Sequence, residues 1–111
     1  MTAWSLAAIS SGNTDNLLIR AADVQLKERR KLILLTRETP LHLGHLRNMT
    51  AVTEMGAIVM PPVPAFYHRP GSIDDIVHHV CARAIDVLGL PLPSLAKPWL
   101  GPATCRENSQ P

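Results

Sequence analysis

The apolar positions of this chain fall into short blocks whose spacing changes from helical to extended and back. Residues 5–11 (SLAAISS) are small and apolar, and Gly12 closes the block. Thr14 or Asp15 is placed to cap a second helix running to about Arg30, with Leu17, Leu18, Ala21, Ala22 and Leu26 as its apolar stripe. Residues 31–36 (KLILLT) are too short a run for a helix and alternate poorly, which predicts a parallel strand covered on both faces. Thr39 and Pro40 read as the N-cap and first position of a helix reaching about Met55. Leu46, Met49, Val52 and Thr53 would face inward, with Gly56 as the stop. Residues 57–60 read as a second short buried strand. Residues 61–70 hold four prolines, which remove donors and fix φ, so no regular element is expected there. Ser72 caps a last helix, with Asp74 and Asp75 in its first turn. Ile73, Ile76, Val77, Val80, Ala84 and Val87 are its core stripe, and Gly89 ends it.

Strands alternating with helices predict an α/β fold with a parallel sheet. Two strands do not complete such a sheet. The order therefore reads as the later part of a doubly wound, Rossmann-like domain, over residues 1–90. Residues 91–111 read as a separate tail: from Leu90 on the chain holds five of its ten prolines and little periodicity, so an extended or disordered segment is expected. Trp99 in that tail is a candidate for docking on a neighbour. A chain of 111 residues is one small domain that buries a modest share of its surface. The apolar fraction of 46% and charged fraction of 18% are globular, while 4% aromatics are few for a self-contained core.

A net charge of +2 argues against a nucleic-acid partner, and the cluster Lys27–Glu28–Arg29–Arg30–Lys31 reads as a solvated helix end. The two cysteines, Cys81 and Cys105, form no CxxC pair, so reduced thiols in a cytoplasmic protein are expected. Cys81, near the apolar stripe of the last helix, is expected to be a buried small hydrophobe. No apolar run is long enough for a membrane span, and the N-terminus has neither the basic nor the apolar region of a signal peptide. His42 and His45, and the neighbours His78 and His79, lack an identifiable third ligand, so surface or packed histidines are expected and no metal site.

Candidate chemistry gathers where the first strand ends, because ligands of open α/β sheets bind beyond the carboxyl ends of strands. Arg37 and Glu38 stand there, beside a helix N-terminus that favours anions. Arg20 and Lys27 share a face of the preceding helix with Asp23, at i, i+7 and i+3. Tyr67 lies in the proline-rich loop after the second strand. Arg83 shares a face of the last helix with His79 and Asp86. Cations, a phenol and one carboxylate from four segments are of the types that receive a phosphorylated ligand.

The blocks DNLLIRAADV (15–24), LKERR (26–30), RETPL (37–41) and MPPVPAFY (60–67), with HLRNM (45–49) and DDIV (74–77), come in an order and spacing that resembles UbiX-type flavin prenyltransferases. The match runs from about Leu6 to Leu90. The resemblance implies a flavodoxin-like fold, FMN, a dimethylallyl phosphate donor and a homo-oligomer, typically dodecameric, with sites shared between subunits. It also implies delivery of prenyl-FMN to a UbiD-type decarboxylase. Residue by residue, Arg37 falls where the family binds FMN. Tyr67 and Arg83 fall where it holds the dimethylallyl phosphate. Arg20 and Lys27 match positions near that phosphate, and Glu38 matches the carboxylate implicated in proton transfer. The flavin-contacting segment Ser-Met-Lys-Thr corresponds to Thr2, Ala3, Trp4 and Ser5, where Trp4 replaces a cation with an indole that could stack on a flavin.

These types suit the implied reaction. Ionising an allylic C–O bond leaves a phosphate dianion, which Arg and Lys stabilise by charge-assisted hydrogen bonds. Capture by flavin N5 and closure at C6 would follow, with Glu38 relaying a proton. The family's Gly-rich first strand-loop and its serine would lie before Met1, so the expectation is a C-terminal half with the N-terminal strands missing. A truncated, non-catalytic flavin-binding or oligomer-forming remnant is the competing reading. A phosphopantothenoylcysteine-decarboxylase-like flavoprotein is a third, against which the RETP and PPVPAFY blocks argue.

Overall fold

Helix α1 (Ala3–Ser11) is set by its two ends. The Thr2 hydroxyl accepts the Ser5 amide at 3.2 Å. At the other end Gly12 takes φ 74°, a conformation glycine adopts at no steric cost. The amides of Gly12 and Asn13 then return to the carbonyls of Ile9 and Ala8, at 3.3 and 2.9 Å. The computed structural model describes residues 1–97; Trp99 and the remainder of the tail, 98–111, lie outside the described residues. The chain forms two compact units, Met1–Val63 and Pro64–Pro111.

In the first unit, helix α2 (Leu17–Lys27) starts from Asn16, whose side chain accepts the Ile19 amide at 3.0 Å. Thr14 and Asp15 were expected to cap it, but the extended Asn16 backbone aims its own carboxamide at the first turn. Its buried face is Ile19 and Ala22, with Leu26 half-buried, whereas Leu17 and Leu18 are 81% and 69% exposed. The apolar run supplies two possible inward faces, and the packing against Leu6, Ile9 and Leu34 uses the one through Ile19.

Strands β1 (Ile33–Leu34) and β2 (Ile58–Val59) pair in parallel, Ile33 opposite Ile58 and Leu34 opposite Val59. The amides of Ile58 and Met60 donate to the carbonyls of Leu32 and Leu34 at 2.8 and 2.9 Å. Helix α3 (Leu43–Glu54) lies between them in sequence and starts later than expected: its cap is His42, not Thr39. The imidazole Nδ1 atoms of His42 and His45 accept each other's backbone amides, which places the helix start after Pro40. Val52 is fully buried and Met49 packs against the core, but Leu46 and Thr53 are exposed. Thr53 instead bonds the Met49 carbonyl along its own helix at 2.7 Å. Leu6, Ile9, Ile19, Ala22, Leu34, Val52 and Ala57 make one core from all three helices and both strand regions. A Ser10–Asn48 hydrogen bond of 3.0 Å ties α1 to α3.

In the second unit, the proline-rich segment contains one 3-10 turn, Phe66–His68, although no regular element was expected. It fits because the turn begins two residues beyond Pro64, where amides are again available to donate: His68 to Ala65 and Arg69 to Phe66, at 3.0 and 2.9 Å. Helix α4 (Ile73–Val87) is capped by Ser72 as expected, its hydroxyl accepting the Asp75 amide at 3.2 Å. Ala82 is buried, while Ile76, Val80, Ala84 and Val87 are half-buried. Ile73, Val77 and Cys81 are exposed. Cys81 is thus not the buried hydrophobe expected; the helix inward face runs through Ala82 instead. Beyond Gly89 (φ 69°), the tail up to Lys97 folds back onto Asp86. Among the described residues, no helix is long and apolar enough to cross a membrane.

Candidate phosphate-binding site

At the end of β1, Thr36, Arg37 and Glu38 line a small recess together with Met1, Thr2, Ala3, Leu6, His45 and Met49. It holds about 10 Å³, room for roughly one water. Thr36 is 5% exposed and its hydroxyl has no hydrogen-bond partner among the described residues. The Met1 amino group donates to the Leu35 carbonyl at 2.9 Å, which brings the start of α1 to this strand end. Thr2 and Ala3 therefore line the same recess as Arg37 and Glu38. The Ser5 hydroxyl is 3.1 Å from that of Thr2 and helps to cap the helix, and Trp4 is 57% exposed. Arg20 and Lys27 are exposed on α2 and do not line this recess.

The second unit holds a larger cavity of about 320 Å³, lined by Tyr67, His79, Arg83, Asp86, Ser94, Ala96 and Lys97. The 3-10 turn supplies Tyr67, and one face of α4 supplies His79, Arg83 and Asp86. The His68 ring stands 4.5 Å from Tyr67 and 4.9 Å from His79, so the aromatic groups join the turn to the helix. A neighbouring recess of about 270 Å³ shares His79 and Lys97 and adds Arg69 and His78.

Among the described residues, Asp86 is the single carboxylate in the wall of the larger cavity. Amide hydrogen bonds from Leu95 and Ala96, aided by the Ser94 hydroxyl and the Arg83 charge, hold its carboxyl below the ordinary value of 3.8. Against that one carboxylate, the Arg83 guanidinium and Lys97 ammonium give the cavity wall an excess of positive charge. Among the described residues no group of three His, Cys, Asp or Glu side chains could hold a metal ion.

The structure thus brings Tyr67 to Arg83 in one unit, and Thr2 and Ala3 to Arg37 and Glu38 in the other. Sequence reasoning missed Thr36, His45 and Lys97. In the sequence His45 reads as a surface or packed histidine within the HLRNM block, and nothing in a proline-rich tail marks Lys97. A guanidinium, an ammonium and a phenol around one cavity of an α/β chain are groups able to bind a phosphorylated small molecule. No family model matches the chain. It is 59% identical over 97 residues to a probable UbiX-like flavin prenyltransferase of Bacillus subtilis strain 168, covering 87% of this chain and 47% of that protein. Its fold matches the dodecameric FMN-dependent UbiX-like decarboxylase of Escherichia coli O157:H7 with a TM-score of 0.83 and 51% identity, over 91% of this chain and 54% of that one. It also matches AnUbiX (PadA1) in complex with FMN and dimethylallyl pyrophosphate, with a TM-score of 0.83 and 49% identity, over 90% of this chain and 53% of that one. Over the part it shares with them, the chain belongs with the UbiX-type flavin prenyltransferases. It spans about half the length of the curated relatives that it matches.

Proposed function

We propose that the chain is the donor-binding part of a flavin prenyltransferase that transfers a dimethylallyl group from dimethylallyl phosphate to reduced FMN. The observation that carries this reading is the meeting of Tyr67 and Arg83, from separate elements, in one cavity of about 320 Å³. As the allylic C–O bond breaks, negative charge grows on the departing phosphate. A guanidinium already in place stabilises that charge without reorganising, and the Tyr67 hydroxyl donates to the same oxygens.

In the first unit, the reading assigns FMN to Thr2, Ala3, Trp4, Ser5 and Arg37. A flavin ring does not enter a recess of about 10 Å³. Arg37 at the wall of that recess is the cation that would meet polar flavin atoms, and the buried Thr36 hydroxyl would reach them only where the recess opens. Reduced FMN supplies the nucleophile when bound. Glu38 is assigned to holding and moving a proton, and Arg20 and Lys27 to the electrostatics near the phosphate.

The reading carries a doubly wound flavodoxin-like sheet, of which β1 and β2 would be two strands. It also carries a cytoplasmic homo-oligomer, dodecameric like its Escherichia coli O157:H7 relative, that hands prenyl-FMN to a UbiD-type decarboxylase. Exposed Leu17, Leu18 and Val77 support an assembly with further protein surface. The test incubates the purified chain with reduced FMN and dimethylallyl phosphate, alone and with the other half of a UbiX-type fold supplied. The expected result is the mass of prenyl-FMN, reduced when Arg83→Ala or Tyr67→Phe is used. Absence of that product in every combination, or unchanged turnover in both variants, sinks the reading.

A further inference from the structure

The chain beyond α4 has little of its own to hold it. Pro91 and Pro93 offer no amides, and a tight Leu92-to-Leu90 backbone bond of 2.7 Å shapes the turn. What fixes the next residues is one side chain on the helix. The Asp86 carboxylate accepts the Leu95 amide on one oxygen at 2.8 Å. Its other oxygen accepts the Ala96 amide at 2.8 Å and the Ser94 hydroxyl at 3.0 Å. Successive donors to one ionised carboxylate are charge-assisted and orient the backbone that carries them. The next residue is Lys97, which lines both the Tyr67–Arg83 cavity and the recess beside it.

We infer that Lys97 is a further cation for the phosphate of the donor, and that Asp86 is the positioning residue that folds residues 94–97 back along α4 to place it. The ligand chemistry, an allylic phosphate monoester, rests on the reading given above. The arrangement itself does not. Asp86 lies in the same wall as Arg83, where an uncommitted carboxylate would compete with phosphate for the guanidinium. Its oxygens are engaged by two amides and a hydroxyl, so its charge stays in the wall while the guanidinium donors can face the ligand.

The test titrates the full chain with inorganic phosphate and with dimethylallyl phosphate, followed by amide and side-chain NMR shifts. Lys97→Ala is expected to weaken binding about threefold to fivefold, the scale of an exposed charge pair, and Lys97→Arg to restore it. Asp86→Asn is expected to weaken binding by less than Lys97→Ala, because it also removes a negative charge beside the phosphate, and the double variant no more than Lys97→Ala alone, because both act through one ammonium. A merely structural Asp86 would instead add its effect to that of Lys97→Ala, which overturns the positioning role. Wild-type affinity in Lys97→Ala beside a loss in Arg83→Ala overturns this inference and leaves the donor-site reading standing. No effect in either variant, or no phosphate-dependent shift at Lys97, removes the inference, and the former removes the reading with it.

Discussion

His42 and His45 cap each other at the start of α3: the Nδ1 atom of each accepts the backbone amide of the other, at 3.3 and 3.4 Å, with the rings stacked 3.6 Å apart. The pair satisfies two donors that a helix start leaves without intrahelical partners. His42→Ala is expected to cost about 1 kcal/mol, and His42→Asn to keep most of it. Gly44→Ala tests the same contact from outside, since a Cβ there would lie 2.7 Å from the His42 ring. The gain of about 1 kcal/mol in helix propensity should be cancelled by the displaced cap. Urea denaturation followed by circular dichroism measures both; a Gly44→Ala chain stabilised by the full propensity difference would show that the ring moves freely.

Leu6 is 2% exposed and belongs to the one core that joins α1, α2, α3 and β1. Leu6→Ala is expected to cost about 3 kcal/mol, the transfer of its side chain plus the cavity left behind. In a unit this small that is a large part of the total stability. Loss of the cooperative unfolding transition, or its shift to much lower urea, is the expected result. A shift under a third of that size would mean that the core collapses around the gap.

The class of fold and the order of elements were legible because strong local signals agreed. Gly12, Ser72 and Gly89 mark ends that the structure keeps, and the apolar run around Ile33 and Leu34 is too short for anything but a strand. The inward face of α2 was not legible, because Leu17, Leu18, Ile19, Ala21 and Ala22 are apolar on more than one side. The start of α3 was misread because the capping role went to imidazoles, while Thr39 and Pro40 formed the stronger pattern. For the candidate site, Arg37, Tyr67 and Arg83 were visible as residue types at the ends of elements. Thr36 and Lys97 were not, since a buried hydroxyl and a folded-back tail depend on tertiary contacts with no local period.

Acid should open the Asp86 clasp. Hydrogen bonds from Leu95 and Ala96 lower its folded-state value below the 3.8 of a free carboxyl. A depressed carboxylate contributes stability that is present above the unfolded value and is lost as pH falls through the folded one. The amides of Leu95 and Ala96 should therefore keep their neutral-pH shifts as pH falls to the ordinary carboxyl value of 3.8 and move together only below it. Asp86→Asn should show the open shifts already at neutral pH. Amides that titrate above the ordinary carboxyl value of 3.8, or that do not move in Asp86→Asn, would assign their protection to another group.

Thr36 offers a sharper separation of structure from function. Its side chain is 5% exposed, yet its hydroxyl meets no partner. A buried hydroxyl left unbonded costs about 1–3 kcal/mol, so a residue of the same shape without the oxygen should be tolerated or preferred. Thr36→Val is accordingly expected to leave the urea midpoint of the chain unchanged or raise it by the equivalent of about 1 kcal/mol. If the oxygen serves the flavin, the same substitution should weaken FMN binding about tenfold once the other half of the fold is supplied, because a polar flavin atom then loses its partner. Flavin fluorescence quenching measures the affinity. A variant of higher stability and unaltered FMN affinity removes Thr36 from the flavin wall, and a clearly less stable one shows that the hydroxyl is bonded within the protein after all.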